Sequence, residues 1–269
     1  MNLKPHKSRD ASITPIPNGW RLTIPPGPAN SYRLSQLDDY AHITRQNYPH
    51  FPSSSLELKA RVSSSSVPGT LGFGLWNDPF GLSLGFGGNP FRLPILPNAV
   101  WFFHASEQNY LSFKDPSTAV GLDTIGKAPT YSTSGGSARP PAVNGFIAQI
   151  FRAPKFHPLL LAAGMAFPFS RKRTRKYLGR IIDEDAATVS VDVTEWHSYR
   201  LEWSPTRSAF WVDEALVLDS PVSPRPPLGL VIWIDNQYAA FSPDGRIAYG
   251  ILEGKEEWLE IEDIIIRDA

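Results

Sequence analysis

The 269-residue sequence contains no cysteine. That absence rules out disulfides, thiolate metal sites and any cysteine nucleophile. Net charge is absent too: 26 Lys and Arg balance 26 Asp and Glu, so overall charge gives no pointer to nucleic acid as a partner. No uninterrupted apolar run reaches the roughly 18 residues of a membrane span. Met1–Asp10 is followed by polar residues and prolines where a secretory leader would place its apolar stretch; a cytoplasmic location is the expectation. The six histidines (His6, His42, His50, His104, His157 and His197) show neither H-x-H nor H-E-x-x-H spacing, and no metal is expected. There is no G-x-x-x-x-G-K-[ST] loop, and Gly85–Gly88 opens no helical pattern, so no nucleotide cofactor is expected either.

What the sequence has in quantity is punctuation. Its 26 prolines and 20 glycines are scattered between short apolar runs. That distribution fits many short strands joined by turns, because Pro removes a ladder donor and Gly supplies positive φ. An all-β, single-domain chain spanning 1–269 is therefore predicted. Residues 1–50 are polar and Pro-rich, with small strand candidates at Trp20–Ile24 and Tyr32–Leu34, and read as an arm packing on a sandwich. From Leu56 to Val62 apolar and charged residues alternate strictly, the mark of a strand with one wet face. Leu71–Trp76 follows, with Gly72, Gly74 and Trp76 on one side; glycines there admit close approach of a ligand or another backbone. Further strands are expected at Gly81–Phe86, Val100–His104, Tyr110–Phe113, Gly145–Phe151, Ala209–Val212, Ala215–Leu218 and Leu228–Asp235.

Residues 152–182 differ in composition. The apolar run Leu159–Ala166 leads to a basic block, Arg171–Lys176, and these good helix formers predict a short helical insertion near 156–182. Asp183-Glu184-Asp185 reads as surface or turn. The insertion is either a strap over the sandwich with its cations in water, or an element that touches a membrane surface through Arg171–Lys176.

The segment Trp196–Ser220 is WHSYRLEWSPTRSAFWVDEALVLDS, and the chain closes on LEIEDIIIRD. His197, Tyr199, Glu202, Trp203, Pro205, Trp211, Val212 and Asp213 fall in the order of a hairpin found in family 16 glycoside hydrolases. The chain thus resembles the concanavalin A-like lectin/glucanase superfamily. Glu214 stands where that family usually has Gly. The resemblance implies a two-sheet antiparallel jelly roll whose concave sheet carries a polysaccharide cleft, with the hairpin residues mostly structural. The family's catalytic strand reads E-x-D-x-x-E, and that motif is missing here. Order along the chain places the equivalent strand near Val100–Gln108, which holds one Glu. Retaining hydrolysis needs two carboxyls roughly 5–5.5 Å apart, so the usual double displacement is disfavoured.

The candidate ligand-binding residues are Trp76, Asn77 and Asp78 at the end of one strand, Trp101 and Phe103 on another, and Trp233, Asn236 and Gln237 at the end of a third. Aromatic faces beside amides and carboxylates suit sugar rings; the same residues also read as ordinary core with polar strand ends. His104, Glu107 and Asp235 are the candidate acid/base groups, with His104 alternatively a hydrogen-bonded core histidine. Two functions follow. One is carbohydrate binding or chemistry; the other is an enzyme or binding protein for a small, mostly apolar metabolite. An open groove would favour the polymer, and a pocket capped by Leu159–Tyr177 the small molecule.

Overall fold

A computed structural model describes residues 2–79, 95–114, 144–154 and 171–268. In chain order the strands are β1 (Lys4–Lys7), β2 (Ser12–Ile16), β3 (Gly19–Ile24), β4 (Leu34–Asp38), β5 (Ser54–Val62), β6 (Thr70–Trp76), β7 (Ala99–Ala105), β8 (Gly145–Arg152), β9 (Asp183–Thr188), β10 (His197–Trp203), β11 (Ser208–Val212), β12 (Ala215–Ser220), β13 (Gly229–Asp235), β14 (Gln237–Phe241), β15 (Ile247–Ile251) and β16 (Glu257–Arg267). Among the described residues one α-helix, α1 (Arg171–Ile181), precedes β9, and a single 3-10 turn covers Arg45–Asn47. The first sheet runs β1-β4-β13-β6-β7-β8-β9 and the second β12-β11-β10-β5-β16-β3-β2, while β14 and β15 form a separate hairpin. All these pairings are antiparallel, and the two large sheets form the expected jelly-roll sandwich.

Alternation decides what lies between the sheets. In β5, Leu56, Leu58, Ala60 and Val62 are buried, while Glu57, Lys59 and Arg61 point outward. β10 contributes Tyr199, Leu201 and Trp203 to the same core. The first sheet answers with Leu71, Phe73 and Leu75, Val100 and Phe102, and Leu230, Ile232 and Ile234. Phe102 sits at the centre, its ring 5.5 Å from Phe73, 5.0 Å from Tyr199 and 5.1 Å from Phe210.

Residues 1–50, expected as an arm, are woven into the sandwich. β1 and β4 belong to the first sheet, β2 and β3 to the second. The prolines that hid the strands are Pro5 and Pro15, and both fall on edge strands, where a missing N–H leaves the ladder intact. The acidic triplet at 183–185 opens β9 instead of forming surface or turn, and Glu184 is buried. Tyr110–Phe113 is not a strand; it makes a single bridge, Tyr110 to Ala240. The helix expected within 156–182 is present as α1; the apolar run Leu159–Ala166 and the expected strand Gly81–Phe86 lie outside the described residues.

The β11–β12 hairpin turns on Asp213 and Glu214, whose φ values are +47° and +66°. Two consecutive left-handed residues match the twist of a two-residue hairpin. Asp213 suits the position because its carboxylate accepts from the Ser198 N–H at 2.9 Å and contacts His197 Nδ1 at 2.5 Å. Glu214 has no such local partner and carries the steric cost of a Cβ at positive φ. Glu214→Gly is expected to raise unfolding free energy by up to about 1 kcal/mol, the relieved strain less the added freedom of the unfolded chain. The midpoint of urea unfolding measures this; an unchanged or lowered midpoint would show that the turn is not strained.

Candidate functional site

The other face of the first sheet is the one the resemblance assigns to the cleft. Strand alternation sends Val100 and Phe102 inward, and Ala99, Trp101, Phe103 and Ala105 to this outer face. β6 presents Thr70, Gly72, Gly74 and Trp76 beside them, and β13 presents Val231, Trp233 and Asp235. Gly72 pairs with both Phe103 and Trp233. A Cβ on Gly72 would stand 2.8 Å from the Trp233 ring and 2.4 Å from the Phe102 carbonyl oxygen. Glycine here is the floor on which an indole lies flat.

The aromatic candidates are brought together. Trp76 and Trp233 stack at 5.9 Å with planes 7° apart, and Trp101 and Phe103 at 5.3 Å and 16°. Trp101 lies 5.5 Å and Phe103 5.8 Å from Trp233. Each indole N–H has a partner, as buried tryptophans require: Trp76 donates to Tyr40 Oη at 2.7 Å, Trp101 to Gln149 Oε1 at 3.2 Å and Trp233 to Thr70 Oγ1 at 3.0 Å. The cluster is covered. Leu111 and Phe113 pack on it from one segment, Leu178 and Ile181 from α1. Trp101 and Phe103 are 2% exposed, Trp233 6% and Trp76 9%.

Arg175 of α1 holds this cover in place. Its guanidinium donates to the carbonyls of Ser112 at 2.8 Å, Phe113 at 3.0 Å and Ser242 at 2.7 Å. Its charge also lies 5.2 Å from the centre of the Phe241 ring. Close by, Glu184 accepts from the Ser112 hydroxyl and, at 2.6 Å, from the Phe113 N–H. Burial raises its pKa against these hydrogen bonds.

Asp235 closes the face at the end of β13. It accepts from Thr70 Oγ1 at 2.7 Å, from the Gln237 N–H at 3.2 Å and from the Tyr32 hydroxyl at 3.3 Å. Burial outweighs those bonds and pushes its pKa up to about 7. Tyr32, half-buried beside that carboxyl, is held well above the usual phenol range by desolvation and the neighbouring charge and stays a donor.

The carboxyls Glu184, Asp235 and Asp38 on this face do not form a pair for glycoside displacement. Glu184 shares a row with Trp76, and Asp235 a row with Thr70, six residues away along the strands. That alone is about 20 Å at a strand's rise per residue. Asp38, on β4, lies four positions from Asp235 along the neighbouring strand, about 13 Å. Its carboxylate is occupied by the N–H groups of Tyr40 at 3.1 Å and Ala41 at 2.8 Å.

The remaining sequence candidates lie elsewhere. His104 points into the space between the sheets, its Nε2 3.1 Å from the Val67 carbonyl oxygen, and burial lowers its pKa. Glu107 is exposed in the turn after β7. Asn77 braces a loop, donating to the Leu96 carbonyl at 3.0 Å and accepting from the Asn98 N–H at 3.0 Å. The Asp78 carbonyl accepts from Arg45 at 2.5 Å. Asn236 is buried, accepting from the Arg33 N–H at 2.8 Å and donating to the carbonyls of Ser31 and Leu252. Gln237 contributes its backbone N–H to Asp235.

Thr70, Gln149 and Glu184 complete the face and were not singled out in the sequence. Thr70 lies on the Gly72–Gly74–Trp76 period of two, and Gln149 is the lone polar residue inside an apolar run. A separate depression of about 400 Å³ lies on the outer face of the second sheet, lined by Glu57, Lys59, Arg200, Trp211 and Asp263. Its charges are paired at the surface, Lys59 with Asp263 and Glu57 with Arg267.

No protein-family model matches the chain, and no curated protein sequence matches it. Solved structures do. The endo-β-1,4-glucuronan lyase from the fungus Trichoderma reesei aligns over 99% of this chain and 90% of its own, with 11% identity and a TM-score of 0.52. The fold is the concanavalin A-like jelly roll. A glycoside hydrolase family 16 endo-glucanase from Bacteroides ovatus aligns over 99% of this chain and 94% of its own, with 8% identity and a TM-score of 0.50. The likeness to these carbohydrate-active proteins is one of architecture.

The raised pKa of Asp235 has a consequence for stability. With a folded-state value of about 7 against an ordinary 3.8, the folded protein holds this proton more tightly than the unfolded chain. The associated stability is complete below about pH 4 and is lost as pH rises through about 7, with a limiting slope of about 1.4 kcal/mol per pH unit. Asp235→Asn, a permanent mimic of the protonated form, is expected to flatten this part of the profile. Thermal unfolding of both proteins from pH 4 to 8 measures the difference; parallel profiles would place the Asp235 pKa near its ordinary value.

Proposed function

We propose that this chain is a carbohydrate-binding protein on a hydrolase-type jelly roll, and that it does not cleave glycosides by double displacement. One observation carries the reading. β7, the neighbour of the central strand β6, presents Ala99, Trp101, Phe103 and Ala105 on the face where the resemblance would have a hydrolase strand present its carboxyl pair. Neighbours of the same architecture that act on polysaccharides, a glucuronan lyase and a glucanase, support a saccharide ligand.

The ligand meets the face at the β4–β13 end, where Gln36 and Tyr32 are half-buried and Trp233 and Asp235 lie beside them. Gln36 and Tyr32 offer hydroxyl partners there, and the buried Trp233 and Asp235 lie next to them, Trp233 paired with Gln36 and Asp235 bonded to Tyr32. A carboxyl titrating near 7 is also suited to proton exchange at neutral pH, and of the three ionisable candidates Asp235 alone stands on this face. A titration of intrinsic Trp fluorescence with a panel of oligosaccharides tests the reading. A saturating response is expected, weakened about tenfold, or ~1.4 kcal/mol, in Trp233→Ala. Silence of the wild type across the panel, or an unchanged response in the variant, would sink it.

A second reading is favoured by the cover of Leu111, Phe113, Leu178 and Ile181 over the rings. A small, mostly apolar metabolite admitted beneath that cover would use the same indoles, and it would bind with no saccharide competing.

A further inference from the structure

The face of α1 turned away from the sandwich is left unexplained by its packing. The helix reads RKRTRKYLGRI. Thr174, Arg175, Leu178 and Ile181 point toward the protein. Arg171, Lys172, Arg173, Lys176 and Arg180 are exposed, and none of them forms an ion pair with a described carboxylate. The acids nearby are engaged or turned away. Glu184 is buried and bonded to the Ser112–Phe113 segment. Asp183 and Asp185 alternate to the opposite side of β9. Asp244, in the turn that touches Arg171, is paired with Arg246 at 2.5 Å.

The arrangement opposes the helix's own stability. Lys172 and Lys176, and Lys176 and Arg180, are like charges at i and i+4, which repel. The first turn holds three cations and no acid, at the end where the macrodipole is positive. Nothing in the described structure relieves either effect; an external anion would relieve both. The apolar side of α1 is already buried on the Trp cluster, and Arg175 fixes the helix through carbonyl bonds. No apolar face remains to enter a bilayer, as an interfacial helix requires.

We propose that α1 is an electrostatic rim that selects an acidic polysaccharide, a chain bearing carboxylates of the uronate type, for the half-buried β4–β13 end of the face beside it. This rests on the saccharide reading above and names its substrate class. The outer face of the first sheet supports it: its carboxylates Asp38, Asp235 and Glu184 are buried, while at its far edge Lys4 and the half-exposed His6 share that face through their pairing with β4. α1 and Lys4 thus place cations at two sides of the face.

The test uses the full chain and a variant carrying Lys172→Gln, Arg173→Gln, Lys176→Gln and Arg180→Gln. A polygalacturonate oligomer, a neutral β-glucan oligomer, duplex DNA and anionic phospholipid vesicles are the four probes. The wild type is expected to bind polygalacturonate most tightly, with affinity falling about tenfold or more between about 50 and 200 mM salt as counterions compete. The variant is expected to lose at least about tenfold in that affinity and most of the salt dependence. It should retain neutral-glucan binding and show an unfolding midpoint equal to or above the wild type. Unchanged polygalacturonate affinity in the variant overturns the proposal, as does tighter binding of DNA or vesicles that the variant abolishes. Neutral-glucan binding with no response to polygalacturonate overturns it too, and leaves the saccharide reading standing. A lowered midpoint in the variant would show that the cations serve the fold and would also overturn it.

Discussion

A sheet that is apolar on both faces must be covered on both faces. β7 and β13 are buried at all seven positions, and β6 at six of its seven. One side is satisfied by the second sheet. The other carries three tryptophans and a phenylalanine, and this demand organises the rest of the molecule. It accounts for the Leu111–Phe113 segment, for α1 and for Arg175, which ties the two together through backbone carbonyls. It also accounts for glycine at position 72, because an indole lying flat on a strand leaves no room for a Cβ beneath it. Without that cover the cluster would be an exposed apolar patch of the kind that soluble chains avoid.

The same constraint decides which groups the face can present. A cleft for double displacement needs two ionisable carboxyls facing each other across a narrow gap. Here β7 spends its outward positions on rings and alanines. The acids that remain on the face sit at its margins, each enclosed by hydrogen bonds of its own. The face itself offers buried rings with polar groups at its margins, and one carboxyl at the end of β13, Asp235, whose pKa burial pushes up to about 7.

Much of the architecture was legible because side-chain period and turn chemistry agreed. The alternation of Leu56–Val62, and the WHSYRLEW…WVDE hairpin with its two-residue turn, gave strands and faces that the structure repeats. Trp20–Ile24 was legible as β3, while β1 and β2 were hidden by Pro5 and Pro15, since proline argues against a strand until its place at a sheet edge is known. The aromatic cluster was readable as a set, because Trp76, Trp101, Phe103 and Trp233 fall on outward positions of consecutive sheet neighbours. Which way His104 points was not readable, since strand parity assigns it to one face of β7 without saying which is core. Glu184 was missed for a related reason: an acidic triplet looks solvated until its middle residue is seen to face Ser112. Asn77 and Asn236 looked like ligand groups and are braces, because an amide's four hydrogen-bonding positions serve a loop as readily as a sugar.

The carbonyl bonds of Arg175 have an energetic consequence as well as a geometric one. A guanidinium buried against backbone oxygens does not release them one at a time at low cost, because each broken bond leaves a desolvated charge and an unpaired acceptor behind. α1 and the Leu111–Phe113 segment are therefore tied by one shared side chain, so a change that loosens either loosens the packing of both over the indoles.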